Sequence, residues 1–135
     1  MSSTYISAQL RRLVSDRAGN RCEYCRQPAG VSFLPHEIDH VIAEKHKGKT
    51  EADNLAYTCW RCNRHKGTDL SSLDPQTGQL SVLFNPRTQR RAEHFDVDND
   101  SIVGLTAEGR ATIELLHLNS KERMDELRRW LKIID

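Results

Sequence analysis

At 135 residues, with 37% apolar and 29% charged side chains, the chain has enough for one domain with a modest core and is too apolar for a disordered tail. No apolar run approaches a membrane span, and the opening MSSTYISAQLRRL lacks the long apolar stretch of a secretory leader, so a cytoplasmic protein with reduced thiols and no membrane partner is expected. The net charge of +1 is split: 14 Lys+Arg against 9 Asp+Glu up to Arg91, then 6 against 10 from Ala92 on. The first part suits a polyanion and the second does not.

Residues 4–19 carry Tyr5, Ile6, Leu10, Leu13 and Val14 at helical spacing, with Gly19 and Asn20 as a stop. Residues 20–67 hold all four cysteines and most of the polar clusters. Residues 68–135 form a C-terminal extension. It opens on the turn-rich LSSLDPQTGQL and continues as HFDVDNDSIVGL, a hairpin pattern around Asn99 and Asp100. Two helices follow. Thr106 caps the first, through about His117; Ser120 caps the second, through about Ile133, with Met124, Leu127 and Leu131 as its core face. The expected fold class is α+β in a single domain over 1–135.

The cysteines give the strongest signal. Cys22 and Cys25 form CEYC, Cys59 and Cys62 form CWRC, and 33 residues lie between the pairs. Two such pairs supply four thiolates for a tetrahedral zinc ion with no open position, hence a structural site. A redox dithiol would need a single pair in a thioredoxin-like setting. The insert reads as a strand (EIDHVIA), a basic turn (KHKGK) and a strand or loop (NLAY). The GKT at 48–50 looks like the end of a phosphate-cradling loop, but the earlier glycine that loop needs falls at Ala43. After Cys59, CWRCNRHKG reads as a short helix stopped by Gly67, with Cys59, Asn63 and Lys66 on one face and Trp60 and Arg64 on the other.

C-x-x-C, then DH, then DNL, then C-x-x-C-N-x-x-K-G resembles the HNH endonucleases, whose fold is the ββα-metal finger. FNPRTQRRAEHF and GLTAEGRATIELLHLN are similar to a group of small stand-alone bacterial members. The resemblance implies metal-dependent hydrolysis of DNA, double-stranded, with His40 as general base, Asp39 as a metal ligand, Asn54 holding the loop that orients the base, and Asn63 as the second metal ligand. The letters read H-N-N where the founding pattern reads H-N-H. Asp39 and Asn63 both offer hard oxygens, which suit Mg²⁺ or Mn²⁺.

Candidate DNA contacts are Lys45, Lys47, Lys49, Lys66, Arg64, Arg87, Arg90 and Arg91, because cations hold phosphate without reading sequence. Arg21, Arg26, Arg61 and Arg64 also have a structural reason to exist, since a four-thiolate zinc carries negative charge. Lys66 would equally suit the C-terminal end of a helix dipole. His36, His46 and His65 read as loop or solvated side chains. Two competing readings are a zinc-ribbon module that only binds nucleic acid and a subunit of a larger nuclease complex without activity of its own. A second copy or a protein partner could dock through the C-terminal extension. The set Asp39, His40, Asn54 and Asn63 favours the nuclease, since a binding module has no use for a base beside a metal ligand.

One geometric problem remains. Neighbouring residues on a strand point to opposite faces. Asp39 and His40 can serve one phosphate only if the strand ends close to them.

Overall fold

The structure, a computed structural model, describes residues 4–134, save the side chains of residues 127 and 130–134. It is α+β, with three two-stranded antiparallel sheets among the described residues. The chain divides into two compact units: Met1–Leu70 with Asn85–Thr88, and Ser71–Phe84 with Gln89–Asp135.

In the first unit, helix α1 spans Ala8–Arg17. Ser7 caps it, its hydroxyl accepting from Leu10 N–H at 3.2 Å. Gly19 and Asn20 end it in the left-handed region, at φ 65° and 58°. Of the expected apolar face, Ile6 and Val14 are buried and Leu10 packs against them. Tyr5 and Leu13 are 81% and 46% exposed. Tyr5 precedes the helix, and Leu13 lies off the face that Leu10 and Val14 share at i and i+4.

Strand β1, Glu37–His40, pairs antiparallel with β2, Leu55–Thr58. The register sets Ile38 opposite Tyr57 and His40 opposite Leu55 on one face, and Glu37 opposite Thr58 and Asp39 opposite Ala56 on the other. The first face meets α1: Ile6, Val14 and Leu55 form the buried cluster, with Ile38 and Tyr57 against it. Burying side chains of this kind contributes roughly 1.5–3 kcal/mol each. The second face meets α2, Trp60–Lys66. Ala56 and Thr58, both fully buried, leave room for that helix. Cys59 caps α2 through its sulfur, and Gly67, at φ 52°, ends it as the sequence predicts.

The second unit opens with a hairpin that the sequence does not announce. Strands β3, Ser71–Leu73, and β4, Leu80–Val82, have three residues each, too few for an alternating pattern to register. The turn between them is built on Asp74. Its carboxylate accepts from Gln76 N–H, the Thr77 hydroxyl and, bidentately, the Arg110 guanidinium at 2.9 and 2.8 Å. A short helix α3, Arg91–His94, leads into β5, Phe95–Asp98, and β6, Ser101–Gly104. Asn99 and Asp100 turn that hairpin at positive φ, as a two-residue loop between right-twisted strands requires. Helix α4, Ala107–Leu116, is capped by Thr106, and α5, Lys121–Ile134, starts beside Ser120, whose hydroxyl accepts from Arg123 N–H. The unit buries Phe84, Phe95, Ala111, Leu116 and Leu118. On α5 Met124 is half-buried, and the side chains of Leu127 and Leu131 lie outside the described residues.

Candidate active site and metal centre

β1 ends at His40, so Asp39 and His40 are its last two residues. Both are buried, at 8% and 6% exposure. A cleft of about 340 Å³ is lined by Arg11, Glu37, Asp39, His40, Glu44 and Asn63 among others. Side chains from both faces of the strand therefore reach one cleft.

On the α2 face two helix residues answer two strand residues. Asn63 donates from Nδ2 to Glu37 Oε2. Lys66, 2% exposed, places Nζ 2.9 Å from Asp39 Oδ2 and donates to the His40 carbonyl at 3.2 Å. Burial pushes the Asp39 carboxyl above its ordinary range, and the Lys66 ammonium works against that rise. On the α1 face, His40 Nε2 lies 2.8 Å from the Thr50 hydroxyl and 3.7 Å from Glu44 Oε1. Glu44 in turn accepts from the Thr4 hydroxyl at 2.7 Å.

The Asn54 side chain makes its hydrogen bonds elsewhere than on His40. Its Oδ1 accepts from Ile42 N–H, and its Nδ2 donates to the carbonyls of Ile42 and Lys49, all at 2.9 Å. The loop from Val41 to Asn54 is thereby closed on itself. Gly48 sits where it must: a Cβ there would lie 1.7 Å from the Ile42 carbonyl oxygen and 2.8 Å from Asn54 Nδ2. Lys47, at φ 72°, makes the turn before it.

The four cysteines converge. Their sulfurs all lie within 4.8 Å of one another, with Cys25 and Cys59 at 3.6 Å. A tetrahedral zinc with bonds of about 2.3 Å needs sulfurs about 3.8 Å apart, so the donor set fits that ion. Peptide N–H groups of Tyr24, Cys25 and Cys62 donate to Cys22 and Cys59 sulfurs at 3.4 Å, which favours thiolate. Burial pushes the Cys62 thiol well up, and hydrogen bonding to Cys22 does so for Cys25. Four thiolates this close together, three of them buried, need a cation to exist together.

The predicted phosphate contacts divide. Lys45, Lys47, Lys49, Arg64 and Arg90 are exposed. Arg64 and Arg61 stack their guanidinium groups on Trp60, 5.2 and 4.6 Å from the ring centroid. Lys66 is inside, on Asp39. Arg87 is held by Glu23, and only 11% of its side chain is exposed. Arg91 lies over the Phe95 ring at 4.7 Å. His36 bonds the Gln27 carbonyl at 2.8 Å and tilts against Tyr57, away from the chemistry.

Sequence reasoning passed over Glu37, Glu44 and Thr50. Glu37 was legible, because it stands two residues before Asp39 and so shares its face. Thr50 was not, since a ten-residue loop excursion brings it back to His40.

The chain is 24% identical over 125 residues to Septu protein PtuB of Bacillus thuringiensis, a match covering 91% of this chain and 46% of that protein. The chain thus spans less than half the length of that relative. No solved structure matches it. The model of the HNH endonuclease family matches residues 22–69, the stretch that holds both cysteine pairs, the strand-end Asp39–His40 pair and Asn63. Over residues 22–69 the chain is thus similar to the HNH endonuclease family.

Proposed function

We propose that this protein is a metal-dependent DNA endonuclease that hydrolyses phosphodiester bonds, with His40 as general base. The observation that carries the reading is the meeting of Asp39, His40 and Asn63 on one cleft at the end of β1. An imidazole has an ordinary pKa near neutrality, so His40 can take a proton from water at physiological pH. Asp39 and Asn63 would hold a hard divalent ion such as Mg²⁺ or Mn²⁺. The chemistry of the donors supports this. Asn63 gives its N–H to Glu37, which leaves Oδ1 as the atom for a ligand. Glu37 and Asp39 put two carboxylates on the α2 face, where Lys66 pairs with Asp39 alone, a surplus of negative charge that attracts a divalent cation. Such an ion, when bound, neutralises phosphate charge and eases departure of the leaving oxygen. Cys22, Cys25, Cys59 and Cys62 would hold a structural zinc that ties the segment at residue 22 to α2.

Asp39 and His40 on opposite faces suit in-line attack, where water approaches phosphorus from one side and the leaving oxygen departs on the other. The exposed Lys45, Lys47, Lys49 and Arg64 are the phosphate contacts this reading favours, with Arg90 as a further candidate. Lys66, Arg87 and Arg91 have partners in the protein and are weaker candidates. The less basic unit, residues 71–84 and 89–135, would be the part that meets a protein partner or a second copy.

The test is cleavage of supercoiled plasmid with Mg²⁺ or Mn²⁺, with EDTA, and with His40→Ala. Cutting is expected with metal, none with chelator, and a loss of roughly 100- to 10,000-fold in the variant. Equal cutting by wild type and His40→Ala would remove the base from the mechanism.

A further inference from the structure

We infer that Thr50 is the positioning residue for His40: its hydroxyl oxygen accepts a hydrogen bond from Nε2–H and so leaves Nδ1 as the nitrogen that takes a proton from water. The inference rests on the nuclease reading for its consequence in cleavage, and on the structure for the contact itself.

The contact is specific. Thr50 Oγ1 lies 2.8 Å from His40 Nε2, hydrogen-bonding distance for these atoms. It is also the end of a chain of constraints. Asn54 binds the Lys49 carbonyl, the group immediately before Thr50. Gly48 packs against the Ile42 carbonyl, where no other side chain fits. Asn54 therefore acts on the base through Thr50, with no hydrogen bond of its own to the ring.

The direction of the bond follows from the inventory of the two groups. A hydroxyl donates or accepts, and a neutral imidazole has one nitrogen of each kind. If Thr50 donated, the lone pair on Nε2 would be consumed and the ring proton would sit on Nδ1. No nitrogen would remain to act as a base. If Thr50 accepts, the proton is on Nε2 and the lone pair is on Nδ1. Glu44 Oε1, 3.7 Å from Nε2, lies beyond hydrogen-bonding distance, but its negative charge favours the second arrangement, with N–H on the nitrogen nearer the carboxylate. The Thr4 hydroxyl holds the other oxygen of that carboxylate. The step then balances. Nδ1 takes a proton from water as the water oxygen bonds to phosphorus. The bond from phosphorus to the departing oxygen breaks, that oxygen takes a proton from solvent, and the ring returns its own to solvent.

The experiment uses the zinc-loaded full chain with ¹⁵N-labelled histidine, comparing wild type, Thr50→Val and Thr50→Ser. At alkaline pH, where the ring is neutral, the ring-nitrogen spectrum of His40 is expected to show the Nε2–H form. Its proton should exchange slowly in wild type and Thr50→Ser, and that protection should be lost in Thr50→Val. In plasmid cleavage Thr50→Val is expected to lose roughly 10- to 100-fold in kcat with KM little changed, and Thr50→Ser to recover most of the loss. An Nδ1–H form in wild type overturns the inference, as does a Thr50→Val protein whose spectrum and rate match wild type. The wild-type spectrum decides the point even if the valine variant does not fold. If no form of the protein cuts DNA, the nuclease reading fails, while the spectrum still decides whether Thr50 holds the ring.

Discussion

Lys66 and Asp39 show how a residue's role is set by what faces it. The sequence places Lys66 on the helix face of Cys59 and Asn63, where a phosphate contact or a helix-dipole role is the natural expectation. In the fold it is 2% exposed and its ammonium sits on the Asp39 carboxylate. The spacing explains the match. Two residues along a strand advance about 6.6 Å, and three along a helix about 4.5 Å. Glu37 and Asp39 can therefore meet Asn63 and Lys66 in order, with the long lysine chain making up the difference. Removing one partner from a buried ion pair leaves the other charge without compensation. Lys66→Met is expected to destabilise the first unit by about 3–5 kcal/mol, read as a lower urea midpoint. A midpoint equal to wild type would mean that the pair contributes nothing to folding.

At the scale of elements, the loop from Val41 to Asn54 was half legible. The basic turn and the asparagine stand out in sequence, but the closeness of Gly48 to Ile42 is a property of the closed loop alone. Gly48→Ala is expected to force the loop open, at about 1–3 kcal/mol, and to abolish cleavage with it. Gly30→Ala, where a Cβ meets nothing within 4 Å, is the matched control and should melt like wild type. The β3–β4 hairpin was not legible, because its strands are short and its turn rests on a side chain 36 residues away, Arg110. That pairing has a pH signature. The Arg110 guanidinium holds the Asp74 carboxyl well below the usual carboxylate range. A depressed folded pKa means the unfolded chain binds more protons on acidification, so this stabilisation is present above about pH 4 and fades below it. Asp74→Asn is expected to melt lower at neutral pH and to decline less steeply between about pH 4 and pH 2. Parallel acid limbs for the two proteins would refute the assignment.

For the whole molecule, the proposed zinc site would make metal binding and folding one equilibrium in the first unit. Cys22→Ser is expected to lose tightly bound zinc and the cooperative melt of that unit, since structural zinc contributes folding energy directly. His40→Ala should keep both, and metal analysis beside calorimetry separates the two outcomes. A Cys22→Ser protein that retains zinc and melts normally would take the cysteines out of the fold's support. The sequence by itself determined the chemistry: which residues can ligate zinc, which can offer hard oxygens, and which can act as a base. Those properties belong to side chains and short spacings, such as the two C-x-x-C pairs and the adjacent Asp39 and His40. It also announced the caps and turns, at Ser120, Thr106, Gly67 and Asn99–Asp100, because local backbone preferences act over a few residues. Only the tertiary structure decided that Lys66 and Arg87 lie inside on carboxylates and that Thr50 meets His40. Those contacts span 10 to 64 residues, and burial, which no local pattern specifies, determines which charges must find a partner.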